Sequence, residues 1–328
     1  MYHHLITIFN AIQLVYIIII LRGHKFFAII IDMSNRVNYE IREIGCTRCG
    51  KTTFHWGKKT YIMGVINVSP DSFSGDGLKD IDAAVAEAKR LVTEGADIID
   101  IGGESTRPGS EPISIDEELR RVIPVLEKLR CEIELPLSVD TYKMEVACQA
   151  LDAGADMLND IWGLQKEPGL AKLAAQKGIA LVLMSNQRGD PSHQNIISAV
   201  IDDLRRAINQ ALASGMPWEN IIVDPGMGFG KTQEQNLEVL RNLEELKTLG
   251  RPILLGSSRK SFIGWVLDLT SEQRVKEAVF VPPTNRRLEG TAATVAIGIA
   301  KGADIVRVHD VKEMARVCRM SDAIVRNS

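Results

Sequence analysis

The chain repeats one pattern eight times, in which an apolar run of strand length ends on a polar residue and a segment of helical length follows. The residues that end the runs are Asn67, Asp100, Asp140, Asn159, Ser185, Asp224, Ser257 and Arg307. Continuous apolar runs are typical of parallel strands that are buried on both faces. Eight such units within roughly 250 residues therefore predict a closed (β/α)8 barrel, the TIM barrel, rather than an open sheet.

The segments between the runs carry apolar residues at three- and four-residue spacing, which predicts helices. The clearest are residues 83–93, 116–129, 196–213 and 235–246. Gly95, Gly154 and Gly302 each stand five positions before a run ends, and we interpret them as helix C-caps. Barrel strands end on one common face where active sites are built, so the polar residues predict a single pocket. The alternative is that each is only a turn or N-cap residue, as Asp140 would be for a helix starting near Lys143.

Composition limits the partners of the chain. A net charge of −3 and a pI of about 6.1 argue against a nucleic-acid partner held through its phosphates. Five cysteines, an odd number, do not form a disulfide framework, so we expect a reducing, cytoplasmic location. Cys46 and Cys49 have the spacing of half a zinc site, but no second pair follows, and structural zinc needs four ligands.

The N-terminal segment is unusually apolar. Residues 5–21 approach the lower length limit of a membrane-spanning helix. Three interpretations stay open: a membrane anchor, a poorly structured extension, or a start codon assigned too early, with Met33 as the true start. We favour the third, and expect no membrane association unless the segment is an anchor. Residues 1–36 are accordingly assigned to an extension outside the fold and residues 37–328 to the barrel, and a chain that begins at Met33 is expected to be active.

Residues 37–56 alternate between apolar and polar residues as a pair of strands would. Cys46–Gly50 is predicted to form the turn, which gives an N-terminal β-hairpin that closes the lower end of the barrel.

Loops rich in Gly, Pro, Ser and Asp follow several of the runs. They include residues 67–77, 102–109, 224–232 and 256–261, and Arg-Val-His-Asp at residues 307–310 ends the series. The loop at 224–232 narrowly misses the phosphate-binding pattern of nucleotide triphosphatases, because Pro225 occupies the position of the first required glycine.

These stretches, taken in order from about Thr60 to the end, resemble the dihydropteroate synthase family. The motifs are Asn-Val-x-Pro-Asp-Ser-Phe, Gly-Gly-Glu-Ser-Thr-Arg-Pro, Ser-Val-Asp-Thr, Asn-Asp-Ile, Asp-Pro-Gly-x-Gly-Phe-Gly-Lys, Ser-Arg-Lys-Ser and Arg-Val-His-Asp. The resemblance implies condensation of 6-hydroxymethyl-7,8-dihydropterin diphosphate with 4-aminobenzoate, giving 7,8-dihydropteroate and diphosphate, with magnesium present. It also implies an SN1-like reaction at the pterin methylene and a homodimer.

The family pattern assigns most of the polar residues to the pterin. Asp224 would accept hydrogen bonds from the amine and ring N–H edge, Lys260 would donate to the ring acceptors, and Arg307 would stack on the ring face. The other residues implied here are Asp140, Asn159, Met184, Phe229 and Gly256.

The resemblance implies a second group of residues, which would bind the diphosphate and the aminobenzoate. Asn67 would bind magnesium, which prefers oxygen ligands. Arg107, Arg307 and His309 would meet the diphosphate, with Thr106 and Ser258 at the rim. Phe73, Arg107 and Pro108 would form the aminobenzoate site. Glu104 is left without a substrate contact, and Asp100 is expected on the same face in a supporting position.

The chain departs from the family pattern at a pocket position, and two alternative functions stay open. Ser185 stands where the family commonly has histidine. A methyltransferase that carries a methyl group from methyltetrahydrofolate to a corrinoid protein would keep the carboxylates but not the diphosphate ligands. A non-catalytic pterin-binding paralogue would have lost one of Asn67, Arg107, Lys260 or His309, and all four are present.

Overall fold

The computed structural model describes residues 4–10, 13–22, 25–32, 39–40, 45–68, 77–106, 110–188, 195–268 and 287–326. The chain divides into two compact units, Met1–Gly45 and Cys46–Ser328. Residues 33–38 and 41–44 lie outside the described ranges, so the boundary predicted after residue 36 stays a prediction.

The first unit is an antiparallel sheet. Its strands are β1 (His4–Asn10), β2 (Gln13–Arg22), β3 (Lys25–Asp32) and β4 (Tyr39–Glu40), and they pair in chain order. The apolar segment therefore forms strands, and none of the helices in the described ranges is long and apolar enough to cross a membrane. The early-start interpretation stays a prediction.

The second unit is the (β/α)8 barrel that the sequence predicts. Its strands are β7 (Tyr61–Asn67), β8 (Ile98–Gly102), β9 (Leu137–Asp140), β10 (Met157–Asp160), β11 (Ala180–Met184), β12 (Ile221–Asp224), β13 (Leu254–Leu255) and β14 (Ile305–Val308). They form one sheet in the order β12-β11-β10-β9-β8-β7-β14-β13. A parallel bridge between Val223 and Ile253 joins the two edges and closes the barrel.

Helices surround the strands. In the described ranges they are α1 (Gly77–Glu94), α2 (Ile115–Glu132), α3 (Met144–Asp152), α4 (Gly169–Lys177), α5 (Ile196–Ala213), α6 (Gln233–Arg241), α7 (Ser261–Asp268), α8 (Leu288–Ala300) and α9 (Val311–Val325). Gly95, Gly154 and Gly302 have φ of +108°, +103° and +102°, values that favour glycine where a helix gives way to a strand.

One predicted helix is shorter than expected. The spacing over residues 235–246 predicts a continuous helix, but α6 ends at Arg241 and a 3-10 helix follows at Leu243–Leu249. Asn242 lies at the break, and its Nδ2 donates to the carbonyl of Glu238 at 3.0 Å. Asparagine side chains that bond to nearby backbone groups compete with helix continuation, which explains the interruption.

The N-terminal hairpin is present, but its predicted turn was wrong. Cys46–Cys49 forms the strand β5, Thr52–His55 forms β6, and the turn lies at Gly50 and Lys51. Gly50 has φ +57°, which suits a tight turn, whereas Thr47 and Cys49 alternate inward from the strand. The Trp56 indole donates to Thr47 Oγ at 3.0 Å, so the hairpin is fixed by its own inward side chains.

Candidate active site

Five polar residues meet at the carboxyl ends of the barrel strands. Asp140 and Asn159 are register partners on β9 and β10, and both belong to the set predicted from sequence. Asp224 ends β12 and Arg307 lies on β14. Asp100, on β8, is fully buried among them. The common pocket predicted from the strand ends is thus present in the barrel.

Arg307 links two of the carboxylates. Its Nε donates to Asp100 Oδ2 at 2.7 Å, and its Nη2 donates to Asp140 Oδ2 at 2.8 Å. The two bonds use two donors, Nε and Nη2, on one edge of the planar guanidinium, so they fix its plane as well as its position. Asp140 therefore serves the pocket, while α3 begins at Met144 without a side-chain cap.

Asp100 also orients Asn159. The Asn159 amide donates through Nδ2 to Asp100 Oδ2 at 3.1 Å, which leaves Oδ1 as the atom that can accept from a ligand. The second carboxylate oxygen of Asp100, Oδ1, is buried and has no hydrogen-bond partner among the described residues. The sequence places Asp100 on the correct face, and the contact geometry makes it the residue that positions two others.

Burial sets the protonation of the pocket carboxylates. It raises the pKa of Asp140 to about 7, an effect that the positive charge of Arg307 opposes. Burial likewise raises the pKa of Asp224 to about 6, against a hydrogen bond from the Gly226 N–H to Asp224 Oδ1 at 2.7 Å. Asp224 Oδ2 faces Gly256, where a β-carbon would stand 3.7 Å from it. With its pKa of about 6, Asp224 is largely ionised at neutral pH.

Lys260 and an apolar wall complete the same side of the pocket. Lys260 Nζ lies 4.3 Å from the ring centroid of Phe229, and burial with the nearby Arg307 charge lowers its pKa to about 8. Phe229 packs with Ile161 and Met184 in a small cluster that is separate from the main core. An ammonium next to an apolar wall can donate to a flat heterocycle that lies against that wall.

The loop after β12 is built tightly against the loop after β11. A β-carbon at Gly226 would stand 2.0 Å from the Ser185 carbonyl oxygen, so only glycine fits there. Lys231 Nζ donates to the carbonyls of Ser185 and Gly226 at 3.2 and 3.0 Å. Sequence reasoning gave Lys231 no role, and its position at the end of the Gly-Phe-Gly-Lys motif was the available signal.

Ser258 and His309 pair across the ends of β13 and β14. The His309 backbone N–H donates to Ser258 Oγ at 3.3 Å, and Ser258 Oγ lies 3.1 Å from His309 Nδ1. The contact with Ser258 therefore fixes the orientation of the imidazole through Nδ1. Burial and the neighbouring Arg259 lower the pKa of His309 to about 3, so the ring is neutral.

Glu104, which was left without a substrate contact, bonds to three residues of the protein. Its carboxylate accepts from Lys143 Nζ at 2.7 Å, from the Tyr142 hydroxyl at 3.2 Å and from the Ile113 N–H at 3.2 Å. Lys143 also pairs with the buried Glu118 at 2.6 Å. Glu104 therefore stabilises the start of the loop that follows β8.

The remaining predicted residues fall into two groups. Asn67 is half-buried at the end of β7, and Thr106 is the last described residue before the gap after β8. Phe73, Arg107 and Pro108 lie outside the described residues, so the aminobenzoate site stays a prediction. Ser185, in place of the family histidine, is fully buried and its Oγ accepts from Gln187 Nε2 at 2.9 Å.

Comparisons with known proteins point to one family. Residues 63–309 match the family described as pterin binding enzyme. Dihydropteroate synthase from Clostridium beijerinckii is 49% identical over 281 residues, which is 85% of this chain and 99% of that protein. Dihydropteroate synthase from Bacillus subtilis is 48% identical over 269 residues, 82% of this chain and 90% of that protein.

Solved structures agree with the sequence relatives. Dihydropteroate synthase from Clostridium difficile, solved in the presence of pteroic acid, aligns with a TM-score of 0.78 and 49% identity, over 84% of this chain and all of that chain. The enzyme from Xanthomonas albilineans, solved with 4-aminobenzoic acid, aligns with a TM-score of 0.77 and 37% identity, over 85% of this chain and 97% of that chain.

Proposed function

The chain belongs to the dihydropteroate synthase family of pterin-binding enzymes, and from that premise we propose that its barrel pocket joins a pterin diphosphate to 4-aminobenzoate. The products are 7,8-dihydropteroate and diphosphate. The observation that carries the proposal is the buried cluster at the strand ends, where Arg307 holds Asp100 and Asp140 beside Asp224 and Lys260.

The purified protein tests this directly. Given the pterin diphosphate, 4-aminobenzoate and magnesium, it should form 7,8-dihydropteroate and diphosphate in equal amounts. Diphosphate release that needs no aminobenzoate, or no reaction at all, would contradict the proposal. Methyl transfer from methyltetrahydrofolate to a corrinoid protein would support the alternative enzyme instead.

The pocket offers acceptors and a donor that suit the edge of a pterin. The amine and ring N–H of a pterin are donors, and Asp224 Oδ2 and Asn159 Oδ1 are the acceptors that the contacts above leave facing a ligand. Lys260 supplies the donor for the ring acceptors. Buried polar groups that find partners only in the correct ligand give specificity, since a ligand lacking one donor leaves a carboxylate unsatisfied.

The reaction needs help for a departing anion. The bond between the methylene carbon and the diphosphate oxygen breaks with both electrons leaving on the diphosphate, and the aminobenzoate nitrogen then forms the new bond and loses a proton. Arg307 is a fixed cation for that charge, and the neutral His309, which Ser258 holds through Nδ1, would contact the diphosphate as a polar group. Prearranged donors in a site that excludes water lower the barrier without rearrangement during the reaction.

Magnesium is proposed at Asn67, where an amide oxygen at the end of β7 suits a hard cation. No group of three His, Cys, Asp or Glu side chains in the described ranges could hold a metal by itself. Diphosphate oxygens and water would be among the other ligands of a bound magnesium, which is usual for this ion. Its chemistry would be to offset charge on the leaving group.

Removing the metal is expected to abolish turnover. A chelator should stop the reaction and added magnesium should restore it. Asn67→Ala should raise the magnesium concentration needed for half-maximal turnover about tenfold, as expected for one lost oxygen contact. Asp116→Ala, an exposed carboxylate in the first turn of α2, is the control. An unchanged magnesium requirement in Asn67→Ala would remove Asn67 from the metal site.

The pH dependence of kcat/KM should be bell-shaped. Asp224 must be ionised to accept from the pterin, and burial raises its pKa to about 6, so activity should fall as the pH drops through that value. Lys260 must be protonated to donate, and burial lowers its pKa to about 8, so activity should fall again as the pH rises through that value. Circular dichroism controls for unfolding. A profile that lacks the acid limb would contradict the role of Asp224, and one that lacks the basic limb would contradict the role of Lys260.

Aminobenzoate is expected to bind second. If the departing diphosphate and the pterin form part of its site, the protein alone should bind aminobenzoate weakly and gain affinity when pterin and magnesium diphosphate are added. Calorimetry measures both states. Equal affinity in the two would reject the ordered scheme.

We also propose a homodimer in a reducing, cytoplasmic location. Large apolar side chains are exposed on the last two helices, and exposed apolar surface favours association. They are Ile297, Met320, Ile324 and Val325. All five cysteines are free, which suits a reducing compartment. Light scattering tests the assembly, and a mass of 36.2 kDa, that of one chain, would contradict the dimer.

A further inference from the structure

Arg188 lies beside the pocket and has no part in the roles assigned above. Its backbone N–H donates to Asn186 Oδ1 at 3.1 Å, and Asn186 Nδ2 donates in turn to the Ile161 carbonyl at 2.9 Å. The neighbouring loop touches it directly, because a β-carbon at Gly230 would stand 2.2 Å from the Arg188 nitrogen. The backbone of Arg188 is therefore fixed by Asn186 on one side and by the loop at Gly230 on the other.

The side chain of Arg188 joins two different loops. Its Nη2 donates to the Thr106 carbonyl at 2.6 Å, across 82 positions of sequence. Its guanidinium carbon lies 4.7 Å from the ring centroid of Phe229. A planar guanidinium can donate in its plane and cover an aromatic ring with its face at the same time, whereas a lysine ammonium cannot do both.

Thr106 and Phe229, which the Arg188 side chain contacts, both belong to the predicted substrate site. Lys260 Nζ also lies 4.3 Å from the ring centroid of Phe229, so two cations contact one ring. Thr106 directly precedes Arg107 and Pro108, which the family resemblance places at the aminobenzoate. The pterin edge residues Asp224, Asn159 and Asp140 are held by other partners, namely Gly226, Asp100 and Arg307.

We propose that Arg188 is a positioning residue for the second half of the reaction: it sets Thr106 and Phe229 relative to each other so that aminobenzoate, rather than water, reaches the pterin methylene carbon. This inference rests on the proposed function. The positive charge of Arg188 also contributes to the lowered pKa of Lys260, after burial and Arg307, which is consistent with Arg188 facing the same pocket.

Loss of the Arg188 contacts should uncouple the release of diphosphate from the formation of dihydropteroate. Once the bond to diphosphate has broken, a water oxygen can form the bond to the methylene carbon and release a proton, which yields 6-hydroxymethyl-7,8-dihydropterin. Each such event releases diphosphate without forming dihydropteroate. The ratio of the two products therefore reports how well the pocket excludes water.

The experiment compares Arg188→Met, Arg188→Lys and the control Arg205→Met. Arg205 lies on α5 and pairs with Asp202 at 2.8 Å on an exposed surface. In Arg188→Met we expect the KM for aminobenzoate to rise about tenfold to a hundredfold, as for a lost charge-assisted hydrogen bond, with more than one diphosphate released per dihydropteroate. Arg188→Lys should lie between wild type and Arg188→Met, and Arg205→Met should match wild type. Affinity for the pterin diphosphate alone, measured by calorimetry, should stay within about threefold, a change of less than 1 kcal/mol.

Three outcomes would overturn the inference. They are an unchanged KM with equal product amounts in Arg188→Met, a parallel loss of pterin diphosphate affinity, which indicates a general structural role, and the same effects in Arg205→Met. If Arg188→Met does not fold, Arg188→Lys decides, and wild-type KM and product ratio in that variant overturn the inference. A wild-type protein that forms no dihydropteroate would contradict the proposed function instead, so the two failures are distinguishable.

Discussion

Replacing Arg307 with methionine is expected to lower the free energy of unfolding by about 3 to 5 kcal/mol, the cost of breaking a buried ion pair, and to abolish measurable turnover. The guanidinium holds Asp100 at 2.7 Å and Asp140 at 2.8 Å; the Asp100 side chain is fully buried and that of Asp140 is 11% exposed. Methionine fills much of the volume but leaves two carboxylates without their cation. Chemical denaturation and a steady-state assay measure the two effects.

The destabilisation in Arg307→Met should grow with pH. Burial holds the pKa of the Asp140 carboxyl above its ordinary value even beside Arg307, and removing the cation raises that pKa further. A group whose pKa is raised on folding stabilises the fold while it is protonated, and that contribution is lost as the pH rises through the folded pKa. Arg307→Met with Asp140→Asn should recover part of the stability but none of the activity. A loss of stability that is equal at low and high pH would contradict this account.

Asp224→Asn and Lys260→Ala are each expected to lower kcat/KM by about tenfold to a hundredfold, equivalent to the roughly 1.5 to 3 kcal/mol of a charged hydrogen bond. The fold should survive in both. The asparagine amide oxygen can still accept from the Gly226 N–H, which donates at 2.7 Å in the wild type. Lysine removal relieves the burial of a charge, since Lys260 lies against Phe229 with a pKa of about 8.

Exposed residues of the same type provide the controls for these two variants. Asp202→Asn and Lys128→Ala make the same chemical changes on the outer helices, and both should leave kcat/KM unchanged. Wild-type kinetics in Asp224→Asn or Lys260→Ala would remove that residue from the pterin site. A shifted thermal midpoint together with lost activity would point to misfolding instead.

The barrel and the place of its pocket were predictable from sequence. Buried parallel strands leave a continuous apolar signal, and each run ended within three positions of the strand end that the structure shows, as at Asp140 and Asp224. The turn of the hairpin was not predictable in the same way. The sequence of Cys46–Cys49 fits a strand and a turn equally well. Only the structure, in which Gly50 has a positive φ, shows where the chain reverses.

Contacts between strand ends could not be read from the sequence. Asp100 carries the same pattern as Asp140, yet only the geometry shows that it orients both Arg307 and Asn159. Lys231 and Arg188 bond to backbone carbonyls, and such partners leave no mark on residue type or spacing. The end of the Gly-Phe-Gly-Lys motif was the available signal for Lys231, and a basic residue shortly after a barrel strand was the signal for Arg188.

The most direct test of the central claim, that Asp224 holds the pterin edge in this pocket, is a double-mutant cycle of binding. Calorimetry compares a pterin ligand with its analogue that lacks the exocyclic amine, in wild type and in Asp224→Asn. We predict that loss of the amine weakens binding to wild type by about tenfold or more, because it leaves a buried carboxylate oxygen without its donor, and has little effect in Asp224→Asn. An equal loss of affinity in both proteins would show that the amine does not meet Asp224 and would contradict the account.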